Sequence, residues 1–169
     1  MEAATQIIGQ KGIQEFTTKN LAKDIGLSEA ALYRHFKSKN EIMLGMLDYF
    51  MFEMRERISQ LAGKEGKTSS ELLRDIFTSQ LKTFATRPAI VSVIFSEGIF
   101  QFNKELMHKV SEMMGVMQAE IDTIIKRGQK EGYLRDFVGA TTISTIIMGS
   151  MRMAVMKWKI SGQQSDLVK

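Results

Sequence analysis

The chain contains no cysteine, which excludes disulfides, thiolate catalysis and cysteine-held zinc. Two histidines, His35 and His108, leave little from which to build an imidazole metal site, so no metal and no cofactor are expected. Proline occurs once in 169 residues, against an average of about 5%, so helices meet few interruptions. No run of about 18 uncharged apolar residues is present, which argues against a membrane span. No cleavable signal segment opens the chain, and the cytoplasm is the expected address.

What is there points to helices. With 44% hydrophobic residues, the 169-residue chain can bury one domain or a small module fused to a larger one. Thirteen methionines and thirteen glycines beside the single proline suggest an all-α protein with short connections. The net charge of +4 is compatible with nucleic acid without requiring it. Over residues 1–47, six Lys/Arg stand against five Asp/Glu, so only position on the helices can locate a basic face.

Ala3, Ala4, Ile7 and Ile8 recur at helical spacing, with Gly12 as the expected stop. Met1 then falls inside a helix that has no capping residue before it, which suggests upstream residues. Thr17 caps a short helix whose buried stripe is Leu21, Ala22 and Ile25, and Gly26 ends it. Ser28 caps a second short helix on which Leu32 and Phe36 face inward, turning Ala30, Tyr33 and Arg34 outward. Two short helices meeting at Gly26-Leu27-Ser28 make a helix-turn-helix.

Two capping boxes follow. Ser38 to Glu41 opens a long helix carrying Ile42, Leu44, Met46, Leu47, Phe50, Met51, Met54, Ile58 and Leu61, and Thr68 to Glu71 opens an amphipathic one reaching about Thr86. Pro88 sits where a new helix begins. From Ala89 to Phe102 the chain is apolar, and helix is preferred to a lone strand that could not satisfy its backbone; Gly98 is expected to interrupt it. The stripe Leu106, Val110, Met113, Met117, Ile121, Ile124, Ile125 runs from about Lys104 to Glu131, with a possible break near Gly115. The last helix, about Val138 to Ile160, places Ile143, Ile146, Ile147, Met151, Ala154, Val155 and Trp158 on one stripe, with Met148, Met153 and Met156 on other faces. Such a helix is expected to be covered on two sides.

The stretch Thr17 to Ile42, TTKNLAKDIGLSEAALYRHFKSKNEI, resembles the DNA-binding domain of the TetR family of transcriptional regulators. The matching positions are Thr17, Leu21-Ala22, Gly26-Leu27-Ser28, Leu32-Tyr33, His35-Phe36 and Ser38-Lys39. The resemblance implies a three-helix DNA-binding domain over residues 1–47 and a helical effector-binding and dimerisation domain over 48–169. By the same resemblance Thr17, Thr18, Lys19, Tyr33, His35 and Lys39 would hold phosphates, while Glu29, Ala30, Ala31 and Arg34 would face bases. Ala30 and Ala31 keep the recognition helix slim enough for close approach, although the family more often has Gly then Thr there. Glu29 either caps the helix dipole or accepts from a cytosine amino group.

Family members pair through two C-terminal helices, here the segments about 116–131 and 138–160, so a homodimer on palindromic double-stranded DNA is implied. The middle helices would enclose a cavity for a small, apolar effector. Its candidate wall is Phe77, Leu81, Phe84, Phe95, Phe100, Phe102, Met107, Met114 and Met117, with Glu97, Gln118 and Arg152 as the polar groups. The expected function is a repressor released by that effector. An architectural DNA-binding protein without an inducer, of the nucleoid-occlusion type, is the alternative. An enzyme would need a clustered acid, base or nucleophile, and the sequence offers none.

Overall fold

A computed structural model describes residues 3–4, 7, 16–63, 66–95 and 103–168. Among these, seven helices have defined bounds: α1 (Thr18–Asp24), α2 (Glu29–Tyr33), α3 (Lys39–Ala62), α4 (Ser69–Thr86), α5 (Pro88–Ile94), α6 (Lys104–Lys130) and α7 (Ala140–Ile160). The protein is all-α. Ala3, Ala4 and Ile7 are also helical, with Ala4 and Ile7 buried, whereas Ile8, Gly12 and Gly98 lie outside the described residues.

The chain divides into two compact units, residues 1–52 with 87–111 and residues 53–86 with 112–169. The first buries Phe16, Leu21, Leu32, Ile42, Met46, Leu47 and Phe50 together with Ile90, Val91, Leu106 and Val110. Polar side chains stitch its helices: Asn103 accepts from the Leu106 N–H at 3.0 Å and donates to Asn40, Asn40 donates to Glu105, and Lys109 pairs with Asp48. Pro88 occupies the first turn of α5, where its missing N–H costs nothing.

In the second unit Leu72, Ile76, Phe84, Met113, Met117, Ile121, Ile124, Ile125, Val155 and Trp158 form the core, and α4 packs against α7. The α6 stripe is buried at all seven expected positions. The break near Gly115 does not occur: α6 runs unbroken for 27 residues, because one glycine in a well-packed helix costs about 1 kcal/mol, less than its neighbours' burial returns. The α7 stripe also differs from expectation. Val155 and Trp158 are buried, but Ala154 is exposed and Ile146 is 60% exposed. Gln118 bonds Thr145 (3.1 Å) and Ser144 (3.4 Å), and Thr141 donates to Asp122 at 2.8 Å, joining α6 to α7.

The Thr68 box forms as read, with the Thr68 N–H reaching Glu71 at 2.9 Å and the Glu71 N–H reaching Thr68 Oγ1 at 3.3 Å. At the other box the Glu41 N–H reaches Ser38 Oγ at 3.1 Å, while the Glu41 carboxylate takes the N–H of Lys37. Near the end of α6, a methyl at Gly128 would lie 2.7 Å from Ser69 Cβ and 2.8 Å from Leu134 Cδ1. That approach requires glycine. Gly128→Ala is therefore expected to destabilise the protein by about 1–3 kcal/mol despite alanine's better helix propensity. A urea midpoint unchanged or raised would show that Ser69 and Leu134 yield freely.

Two carboxyls are held below the usual carboxylate range: Glu71 by the Thr68 N–H and hydroxyl, and Asp122 by the hydroxyls of Ser144 and then Thr141. A folded-state pKa below the unfolded value means stability present above about pH 4 and lost as pH falls through the folded value. Urea midpoints compared between pH 7 and pH 3 are expected to fall less in Asp122→Asn than in the parent. Equal losses would remove Asp122 from the acid response.

Candidate nucleic-acid interface

Helices α1 and α2 are short, seven and five residues, and their N-terminal ends are closed by side chains. Thr17 Oγ1 accepts from the Asn20 N–H and Ser28 Oγ from the Ala31 N–H, each at 3.1 Å. Between them Gly26 adopts φ +68°, the left-handed conformation that lets the Leu27 N–H reach the Ala22 carbonyl at 2.9 Å and the Gly26 N–H reach that of Lys23 at 3.2 Å. This turn sets α1 against α2.

The turn brings together side chains eleven and fifteen residues apart. Thr18 Oγ1 lies 3.1 Å from the Tyr33 hydroxyl, and it donates to Glu29 at 3.5 Å. With Thr18 donating to Glu29, the Tyr33 O–H donates to Thr18, so the three form a line of oriented hydroxyls leading to a carboxylate. Glu29 thus has a partner that neither of its two expected roles anticipated. Tyr33 remains 48% exposed, and Ala30, Arg34 and His35 are exposed as well. Ala31 is half-buried.

The cationic positions differ in setting. Lys19 and Arg34 are exposed, as is the imidazole of His35. Lys39 is half-buried, its ammonium 5.5 Å from the centroid of the fully buried Phe16 ring, and partial burial lowers its pKa. Thr17 spends an acceptor on its cap but keeps a hydroxyl proton to donate. Ile25 departs from expectation: it is 39% exposed rather than part of the buried stripe, because it has become the C-cap of α1. Among the described residues no group of three or more His, Cys, Asp or Glu could hold a metal, and no helix is long and apolar enough to cross a membrane.

The residues nominated for an effector site are distributed over both units. In the second unit Phe84 and Met117 are buried, Phe77, Leu81 and Gln118 half-buried, and Met114 and Arg152 exposed, while in the first Phe95 is half-buried and Met107 exposed. Glu97, Phe100 and Phe102 lie outside the described residues. Sequence reading missed a polar pair in the second unit: Gln80, 3% exposed, accepts from Arg57 Nη2 at 3.1 Å. The available signal was a glutamine placed on the apolar face of α4, between Phe77 and Leu81.

Comparison with known proteins places the chain. A family described as bacterial regulatory proteins, tetR family, matches residues 1–46, and one described as YsiA-like protein, C-terminal region, matches 45–169. The chain is 24% identical over 168 residues to the fatty acid metabolism regulator protein of Bacillus subtilis, covering 99% of this chain and 86% of that protein. It is 29% identical over 149 residues to the nucleoid occlusion factor SlmA of Shewanella halifaxensis, covering 88% and 72%. Among solved structures, the fatty acid degradation regulator FadR of Bacillus halodurans shares the fold with a TM-score of 0.87 at 23% identity, over 99% of this chain and 86% of that one. FadR of Bacillus subtilis in complex with stearoyl-CoA shares it with a TM-score of 0.85, also at 23% identity, over 99% and 89%. With both of its segments matched, the chain belongs to the TetR family of bacterial regulatory proteins.

Proposed function

We propose that the chain is a homodimeric repressor that leaves a palindromic operator when a small apolar effector binds residues 48–169. As a TetR-family protein it is a DNA-binding regulator and not an enzyme. The observation that carries the DNA-facing half is the Thr18, Tyr33 and Glu29 cluster on an exposed surface with Lys19, Arg34 and His35. Thr18 and Tyr33 spend their single hydroxyl protons within the cluster, so a phosphate takes over one of these already oriented protons, Thr17 still has its own to donate, and exposed cations release counterions. Thr17, Thr18, Lys19, Tyr33, His35 and Lys39 position the duplex, and Glu29, Ala30, Ala31 and Arg34 read bases from the recognition helix α2.

Dimerisation is supported by α7. Its exposed apolar residues Ile146, Met153, Met156 and Ile160, the last 80% exposed, fall with Gly149 on one seam of heptad spacing. A face of this kind on a finished fold calls for another helix, and pairing through C-terminal helices is typical of the family. Two recognition helices related by a two-fold axis then enter successive major grooves, and the effector acts by favouring a dimer whose spacing no longer fits.

The effector class supported here is an acyl thioester. The B. subtilis FadR structure was solved with stearoyl-CoA, and a Thermus thermophilus FadR structure with lauroyl-CoA matches with a TM-score of 0.69. A second reading, an architectural DNA-binding protein without inducer, is favoured by the 29% identity to the nucleoid occlusion factor. Gel shifts on genomic fragments with and without lauroyl-CoA separate the two. Release from a few palindromic sites supports the repressor, and ligand-insensitive binding at many sites supports the second reading.

Anisotropy titrations at several salt concentrations test the DNA surface. Lys19→Ala is expected to reduce the salt slope by about one, and Tyr33→Phe to weaken binding roughly three- to tenfold at constant slope. Wild-type binding by both would reject the assignment. On the dimer seam, Met153→Glu is expected to give monomers of unchanged helix content that lose most operator affinity. A dimer mass in native mass spectrometry would place the interface elsewhere.

A further inference from the structure

Burying a side-chain amide costs about 1–3 kcal/mol unless it is hydrogen-bonded, and a guanidinium brought out of water costs more. The second unit nevertheless keeps Gln80 at 3% exposure with its carbonyl on Arg57 Nη2 at 3.1 Å. The two residues sit amid apolar surface. On α4, Phe77, Gln80, Leu81 and Phe84 share one face at i, i+3, i+4 and i+7, and Arg57 on α3 follows Met54 and precedes Ile58, both buried. Phe77 and Leu81 are only half-buried, so apolar surface flanking the amide is still reachable.

A structural clamp between α3 and α4 would not need this chemistry. Replacing a buried polar pair by hydrophobic residues of similar volume is often neutral or stabilising, and the neighbouring positions of both helices are already apolar. The pair instead offers N–H donors, one set charged, in the midst of phenylalanine, leucine and methionine. This combination fits an elongated apolar molecule that carries an oxygen acceptor on its apolar body.

We infer that Arg57 and Gln80 form a specificity-determining polar site that receives the acyl oxygen of an amphipathic ligand, with Phe77 and Leu81 holding the adjoining chain. The inference rests on the effector reading above and deepens it. The acceptor is either the carbonyl of an acyl thioester or the carboxylate of a free fatty acid, and both present the same oxygen to these donors. Gln80 supplies a neutral donor and Arg57 a charged one, so removing either costs the ligand's oxygen one of its two hydrogen bonds and removing both leaves it buried and unpaired.

Binding of lauroyl-CoA, laurate and S-dodecyl-CoA, the thioether that lacks only the carbonyl oxygen, is measured by calorimetry on the full chain, parent and variants. The parent is expected to bind lauroyl-CoA about tenfold more tightly than S-dodecyl-CoA. Gln80→Leu and Arg57→Met are each expected to reduce that preference and, with one partner left unpaired, to lower the melting temperature, whereas the double variant is expected to erase the preference with a melting temperature equal to or above the parent's. Gln80→Glu keeps an acceptor for Arg57 but loses the amide donor. It is expected to weaken lauroyl-CoA as well, which keeps the test decisive if Gln80→Leu does not fold. If laurate is the tighter ligand and the one weakened by the variants, the acceptor is the free carboxylate. Tight lauroyl-CoA binding with equal affinity for the thioether, or a preference that survives in the double variant, overturns the inference and leaves the effector reading standing. Failure of the parent to bind any of the three overturns both.

Discussion

A helix of five residues cannot stand alone in water, since its first four N–H groups and last four carbonyls lack partners within it. Everything in the helix-turn-helix depends on how that deficit is met for α1 and α2. Thr17 and Ser28 supply the N-terminal acceptors, and Gly26 bends the chain so that Leu27 and Gly26 close the end of α1. With these local bonds made, two helices too short to persist separately share Leu21, Ala22 and Leu32 with the core beneath them. The same turn brings Thr18 within hydrogen-bonding distance of Tyr33, so backbone satisfaction and the exposed polar surface have one cause.

The second unit solves a different problem. Its helices are long, and burial along their stripes supplies most of their stability. What remains after that burial is informative. On α7 the buried residues Ala140, Ser144, Val155 and Trp158 face the fold, while Ile146, Met153, Met156 and Ile160 face away from it. That division of one helix into two apolar sides is what supports the proposed pairing of two copies through α7. The polar link from Gln118 and Asp122 to Thr141, Ser144 and Thr145 keeps α6 and α7 in register while leaving the outer seam apolar.

Caps and stripes were legible because they are local. A hydroxyl three residues ahead of an amide, or an apolar residue every turn, carries the same meaning in any tertiary setting, so Thr17, Ser28, Thr68, Pro88 and the α6 stripe all read correctly. The misreadings share another trait. Ile25 lay on the expected apolar face but became the cap of a helix that ended one residue sooner, and Ile146 shared its sequence stripe with residues that turned inward. Periodicity specifies that a residue lies on a face, not which neighbour that face meets. Glu29 likewise had two chemical roles in prospect and found a third through Thr18.

By itself the sequence determined an all-α chain, the helix-turn-helix with its two capped helices, and the family resemblance, since these rest on hydrogen bonds and spacings within a few residues. Only the tertiary structure decided that Thr18, Glu29 and Tyr33 meet, that one side of α7 stays uncovered, and that Gln80 is buried against Arg57. Contacts across 11 to 23 residues depend on how whole helices pack, and the free energy that selects one packing is summed over many side chains. The absence of cysteine and the scarcity of histidine narrowed the chemistry in advance to hydroxyls, amides, carboxylates and cations, and those are the groups the folded chain brings together.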